Sequence, residues 1–205
     1  MTRIIWNITT QLVTATVCLG AATTGQSITQ TEKEQAVRYL SETRTGVVDA
    51  VKGLSETQWK FKPAPDRWSV AEVVEHLAVT EEVLVQNILG KLDKAPAPAA
   101  ERDAKQVDAD ILARVPDRST KFQAPPAIAP TGRWTPEVAL EHFLSGRAQS
   151  LVLLKSTPDL RQHVINHPVL GPLDGYEWIL TAAAHTDRHT KQILEVKADP
   201  NFPAN

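Results

Sequence analysis

Hydrophobic positions recur at helical spacing in four stretches of the chain. The first runs from about Glu32 to Leu54, with Val37, Leu40, Val47, Val48, Val51 and Leu54 on one face. Pro63 and Pro65 forbid its continuation. The second opens at RWSVAEVVEHLAV. There Ser69 and Glu72 have the spacing of a capping box, and Trp68 and Val73 occupy the staple positions around it. It continues through Val83, Leu84 and Ile88 to about Gly90. The third has Thr135 as N-cap and Pro136 at the first helical position, and Thr157-Pro158 stops it near Ser156. The fourth starts at Asp174, with Glu177 completing another capping box, and ends near Lys197. No run alternates as a strand does.

Between the second and third segments, 93–132 is Pro-rich (KAPAPAA, then QAPPAIAPTG) around a short helical pattern from Asp103 to Arg114. It reads as a long surface crossover and not as a separate domain. Four long helices with one long connection predict an all-α protein, a four-helix bundle spanning 32–205.

Composition narrows the classes of function. With 42% hydrophobic and 22% charged residues and a net charge of -2, the chain shows no basic stripe for nucleic acid and no polybasic membrane patch. The N-terminus changes the picture. Met1-Thr2-Arg3, an uncharged IIWNITTQLVTATVCLGAA and the small residues Gly20-Ala21-Ala22 follow the order of a signal peptide over 1–22. A flexible linker, 23–31, would follow. The only cysteine, Cys18, lies inside that segment, so a processed chain would have no thiol chemistry of its own. No later apolar run reaches the roughly 18 residues that span a bilayer. The expectation is a periplasmic or secreted protein without stable membrane insertion, or a cytoplasmic one if 1–22 is not a signal.

The candidate chemistry lies in the histidines. His185 and His189 are four apart and share a face of the fourth helix with Trp178, Ala182, Gln192 and Val196. Such a pair can grip a metal or stand on a solvated face. His76 borders the apolar stripe of the second helix, where it needs a hydrogen-bond partner or a metal. His163 and His167 are also four apart, but Pro168, Gly171 and Pro172 exclude a regular helix there, which leaves at most a role at a site rim. His142, in a polar row with Ser145 and Gln149, reads as solvent-exposed. Arg147 shares a core-directed face with Phe143, Leu151 and Leu154. There it either snorkels or points into a polar cavity to bind an anion.

LSETQWKFKPAPDRWSVAEVVEHL, followed much later by GYEWILTAAAHTDRHTKQI, resembles the DinB-like superfamily of metal-binding four-helix bundles. VPDRSTKF and APTGRWTPE resemble the family's crossover, and the likeness covers roughly Glu32 to Pro203. The resemblance implies an up-down-down-up bundle. It also implies one divalent metal on three histidines, which fall here on His76, His185 and His189.

Three imidazoles leave coordination positions open, as catalytic sites do. Neutral imidazole ligands suit zinc, nickel, iron or copper and do not choose among them; zinc or nickel is the first expectation, with iron, copper and manganese as further candidates. Glu75, Arg147 and Gln192 are candidates to support the ligands or meet substrate. Arg188, between the ligands but turned away from them, reads as a surface or inter-helix ion-pair residue. Asp187 is on the wrong face to act as the base of a zinc-peptidase motif. The chain is expected to be a metal-dependent hydrolase, or a transferase using a low-molecular-weight thiol as some relatives do. The alternative is a non-catalytic binding module stabilised by its metal. A small-molecule ligand is expected, and a homodimer is one candidate for its assembly.

Overall fold

The computed structural model describes residues 27–204, so the expected signal peptide, 1–22, and the first four residues of the expected linker, 23–26, lie outside the described residues. The four long helices are α1 (Gln30–Val51), α3 (Val70–Lys91), α5 (Pro136–Ser156) and α6 (Gly175–Lys197). Each begins where side-chain chemistry satisfies its orphan amides. Capping boxes form at Ser69–Glu72 and Asp174–Glu177, and Thr135 accepts from Val138 N. A further box at Thr29–Glu32 starts α1 at Gln30, so the helix takes over the end of the stretch expected to be linker. Another, Ser55–Gln58, starts the short helix α2 (Glu56–Lys60) in the Pro-flanked loop, where none was expected.

Inter-helix contacts fix the directions. Along α3, Glu75 meets residues 131–133 and Glu82 meets His142, so α3 and α5 run parallel. Glu32 meets Tyr176 and Ala50 meets Lys197, so α1 and α6 are parallel too. His76 meets His185 while Leu92 lies over Gly175, which makes α3 and α6 antiparallel. Lys33 and Thr43 of α1 reach Lys155 and Arg147 of α5 in the same opposed sense. The order is up-down-down-up. Parallel neighbours need a connection that returns along the bundle, and 92–135 supplies it with α4 (Ala104–Arg114) and a 3-10 turn at Pro126–Ile128.

One element contradicts the sequence reading. Val164–His167 (β1) pairs antiparallel with Gly171–Asp174 (β2), His167 lying opposite Gly171. Each strand has only four residues and β2 contains Pro172, so neither produces a visible alternation. Gly171 closes the turn with φ 78°, a backbone angle that other residues rarely adopt.

The core is two apolar clusters, one around Leu40, Leu84, Leu154 and Ile179, the other around Val47, Leu77, Phe143 and Ile193. Thr43, Glu81, Arg147 and Thr186, one from each long helix, form a polar layer between them. Arg147 is 0% exposed. Its guanidinium donates to Glu81 at 2.5 Å, Thr186 at 2.6 Å, Thr43 at 3.1 Å and the Leu40 carbonyl at 3.3 Å. It neither snorkels nor faces a cavity. Ser150 donates to the other Glu81 oxygen at 2.9 Å. Gly146 makes this approach possible, since a Cβ there would lie 2.7 Å from the Glu81 Cβ. Arg161, at the far end, gathers Glu32, Asp108 and Asp174 and so joins α1, α4 and α6. Burial, with Asp174 beside it, pushes the neighbouring Glu177 carboxyl up to about 7. None of the described helices is long and apolar enough to cross a membrane.

The polar layer gives a direct stability test. Arg147→Met strands a buried carboxylate and should cost about 3–5 kcal/mol, whereas replacing the pair together costs far less. Urea unfolding should therefore show Arg147→Met/Glu81→Leu to be more stable than Arg147→Met alone. The reverse order would show that the pair is not coupled.

Candidate metal centre

The three histidines named from sequence converge. His185 and His189 stand on adjacent turns of α6, and His76 reaches them from the antiparallel α3. The Nε2 of His185 is 3.2 Å from that of His76 and 3.0 Å from that of His189. His76 is 2% and His189 8% exposed, while His185 is half-buried and forms the open side.

Hydrogen bonds decide which nitrogens face inward. The His76 Nδ1–H donates to the Ile128 carbonyl at 2.7 Å. Because a carbonyl only accepts, the proton is on Nδ1 and the lone pair on Nε2. The His189 Nδ1–H donates to Gln192 Oε1 at 2.8 Å. Arg118 Nη1 stands 3.5 Å from the same atom, which fits an amide oxygen and not a nitrogen. With both outer rings set this way, one proton on His185 Nε2 can satisfy only one of its two close contacts. The other inward lone pair is left without a donor. Adding protons is disfavoured: burial holds His76 below the usual imidazole range, and burial with mutual repulsion holds His185 and His189 far below it.

A cation relieves that conflict. At zinc–imidazole distances of about 2.0–2.1 Å, tetrahedral ligand nitrogens lie about 3.3 Å apart, close to the spacings seen here. Among the described residues these three histidines are the group of side chains that can hold a metal ion.

The supporting residues are only partly those expected. Gln192 hydrogen-bonds the His189 ring. Glu75 touches no imidazole. It accepts from Thr131 N at 2.8 Å, Gly132 N at 2.9 Å and Arg133 N at 3.4 Å, clamping the chain just beyond Ile128. Burial alone would raise its carboxyl, but these amides hold it below the ordinary carboxylate range. Arg147 is confined to the polar layer. Arg188 is neither on the surface nor ion-paired: it is buried and donates to the carbonyls of Asp117 and Thr120, pinning the crossover to α6.

Other contributors were not recognised in the sequence. Arg118 forms a bidentate pair with Glu195 at 2.6 and 2.7 Å and thereby reaches Gln192. Its signal was VPDRSTKF, noticed only as a family likeness. Trp68, read as a helix staple, also packs its ring 5.0 Å from His76 and 6.3 Å from His189 and closes that flank. Of the remaining histidines, His163 bonds the Ala95 carbonyl at 2.6 Å. His142 is half-exposed, bonds Glu82 at 2.9 Å and stacks 4.1 Å from Trp134. His167 lies 4.9 Å from Trp178, at the hairpin.

A family model of the DinB superfamily matches residues 39–193. The chain belongs to the DinB superfamily. YuaE of Bacillus subtilis (strain 168), an uncharacterized protein, is 26% identical over 160 residues, covering 77% of this chain and 94% of YuaE. The structure of YfiT from Bacillus subtilis superposes with a TM-score of 0.56 at 17% identity, over 87% of this chain and 93% of that one. YfiT is described as a probable metal-dependent hydrolase with an unusual four-helix bundle topology. At this identity the likeness establishes the shared DinB fold.

The tautomers are open to measurement. In metal-free protein at pH 7, long-range 1H–15N spectra should show His76 and His189 protonated at Nδ1. Gln192→Leu should release His189 to a tautomer mixture and leave His76 unchanged. An Nε2–H form of His76 in the folded wild type would contradict the site as described.

Proposed function

We propose that this DinB superfamily protein holds one divalent metal ion on His76, His185 and His189 and uses it to hydrolyse a small-molecule substrate. The convergence of three neutral imidazoles, two with their inward lone pairs fixed from outside, carries the reading. The description of YfiT as a probable metal-dependent hydrolase supports the reaction class. When bound, such an ion would supply Lewis acidity, polarising a carbonyl and lowering the pKa of water toward neutrality.

The chain's own contribution is positional. Ile128 and Gln192 hold the rings, Trp68 keeps water from one flank, and half-buried His185 leaves the approach on its own side. Three imidazoles accept zinc, nickel, iron or copper alike; zinc or nickel is the metal we propose first, with iron, copper and manganese as further candidates. No carboxylate touches the imidazoles among the described residues. That favours, as a second reading, a transferase in which an acidic substrate group such as a thiol takes the open position. A secreted location, which we propose from residues 1–22, favours hydrolysis. An intact Met1 on cytosolic protein would remove that preference.

Metal content is the primary test. Purified wild type should carry about one equivalent and His76→Ala/His185→Ala essentially none. Equal, near-zero content in both would overturn the proposal. Gln192→Leu should weaken metal binding by about 10–100-fold in a chelator competition. Chelation of wild type should leave the fold intact, whereas a sharp fall in melting temperature would favour a metal-stabilised binding module.

A further inference from the structure

The face of α6 that carries His185 continues toward the helix start through Thr181, four residues before it, and Trp178, seven before it. Thr181 is 7% exposed, yet its hydroxyl has no hydrogen-bond partner. Helical threonines commonly return the hydroxyl to the carbonyl four residues back. Thr186 and Thr190 do so here, each at 2.9 Å. Thr181 does not, and a buried hydroxyl left unpaired is destabilising.

His167 leads to the same place from the hairpin. It packs against Trp178, whose own Nε1–H is taken by the Ile165 carbonyl at 3.3 Å. The His167 Nδ1 accepts from Val169 N at 3.2 Å and Leu170 N at 3.1 Å. Two N–H groups aimed at one nitrogen require a lone pair there, so the proton is on Nε2. That Nε2–H has no partner among the described residues.

We propose that the Thr181 hydroxyl and the His167 Nε2–H, with the indole of Trp178 beside them, form a recognition subsite for an oxygen acceptor. The ligand class is a small organic molecule with a carbonyl or carboxylate at one end, whose other end reaches the three-histidine position. Four to seven residues along α6 correspond to about 6–10 Å, the spacing between its two polar ends. Both donors are neutral, so the subsite fixes where an acceptor sits without demanding a full charge. The inference rests on the metal reading above and adds to it a direction of approach and a ligand length.

The test uses cobalt-loaded full-length protein titrated with acetate and with the linear diacids from malonate to pimelate, followed by the cobalt visible spectrum. One diacid length should bind about tenfold more tightly than acetate. Thr181→Val should remove most of that advantage and leave acetate affinity unchanged. His167→Asn should do the same, because the Asn Oδ1 can still accept from the turn amides while the Nε2–H is gone. Cobalt binding with no length preference, or with a preference that both variants retain, overturns the subsite alone. Failure to take up cobalt overturns the metal reading and the subsite with it.

Discussion

The site depends on where two imidazole protons go. A neutral imidazole has one N–H, and an acceptor at Nδ1 turns Nε2 into a lone pair. The Ile128 carbonyl does this for His76 and the Gln192 amide oxygen for His189. Without them, the three rings could satisfy one another as an ordinary hydrogen-bonded cluster. With them, the cluster has more inward lone pairs than protons. That excess is the reason to read it as a cation site.

The constraint explains the elaborate anchoring of the crossover. A long connection is expensive to order, and each fixed residue costs about 1–2 kcal/mol of backbone entropy. This one is pinned on both sides of the imidazoles. Arg188 takes the carbonyls of Asp117 and Thr120, Arg118 pairs with Glu195, and Glu75 takes the amides of residues 131–133. Between those anchors, Ile128 is delivered to His76. Topology makes the arrangement available: parallel α3 and α5 require a return along the bundle, and the return passes α6 and the start of α3, where the three histidines are. The same sequence solution therefore serves connectivity and site assembly.

Much of this was legible because it is local. Ser69 with Glu72, Asp174 with Glu177 and Thr135 with Pro136 announce helix starts within four residues, and His185–His189 needs only the helical repeat. The less legible features depend on partners far away in the chain. Glu75 looked like an imidazole neighbour, but its partners are backbone amides 56 to 58 positions on. Arg147 looked available for a ligand until Glu81, Thr43 and Thr186 arrived from three other helices. The hairpin was missed for a different reason: its pairing is set by a turn at Gly171 and not by alternation, and Pro172 argued against a strand.

The missed hairpin also gives the centre its asymmetry. On the side of Trp68 the imidazoles meet a partly buried indole that packs against the core. On the side of Trp178 the indole is accompanied by two donors left unspent, one on α6 and one on the ring that the turn amides orient. A buried hydroxyl such as that of Thr181 is costly to keep unless something pairs with it. His185 is the least buried of the three histidines, which leaves its side, with the polar flank, as the approach for one bound molecule. A centre built only to tie α3 to α6 would need neither the hairpin nor the unpaired threonine. Their placement favours the proposed reading, in which the three histidines would hold a metal for a ligand and not for the fold alone.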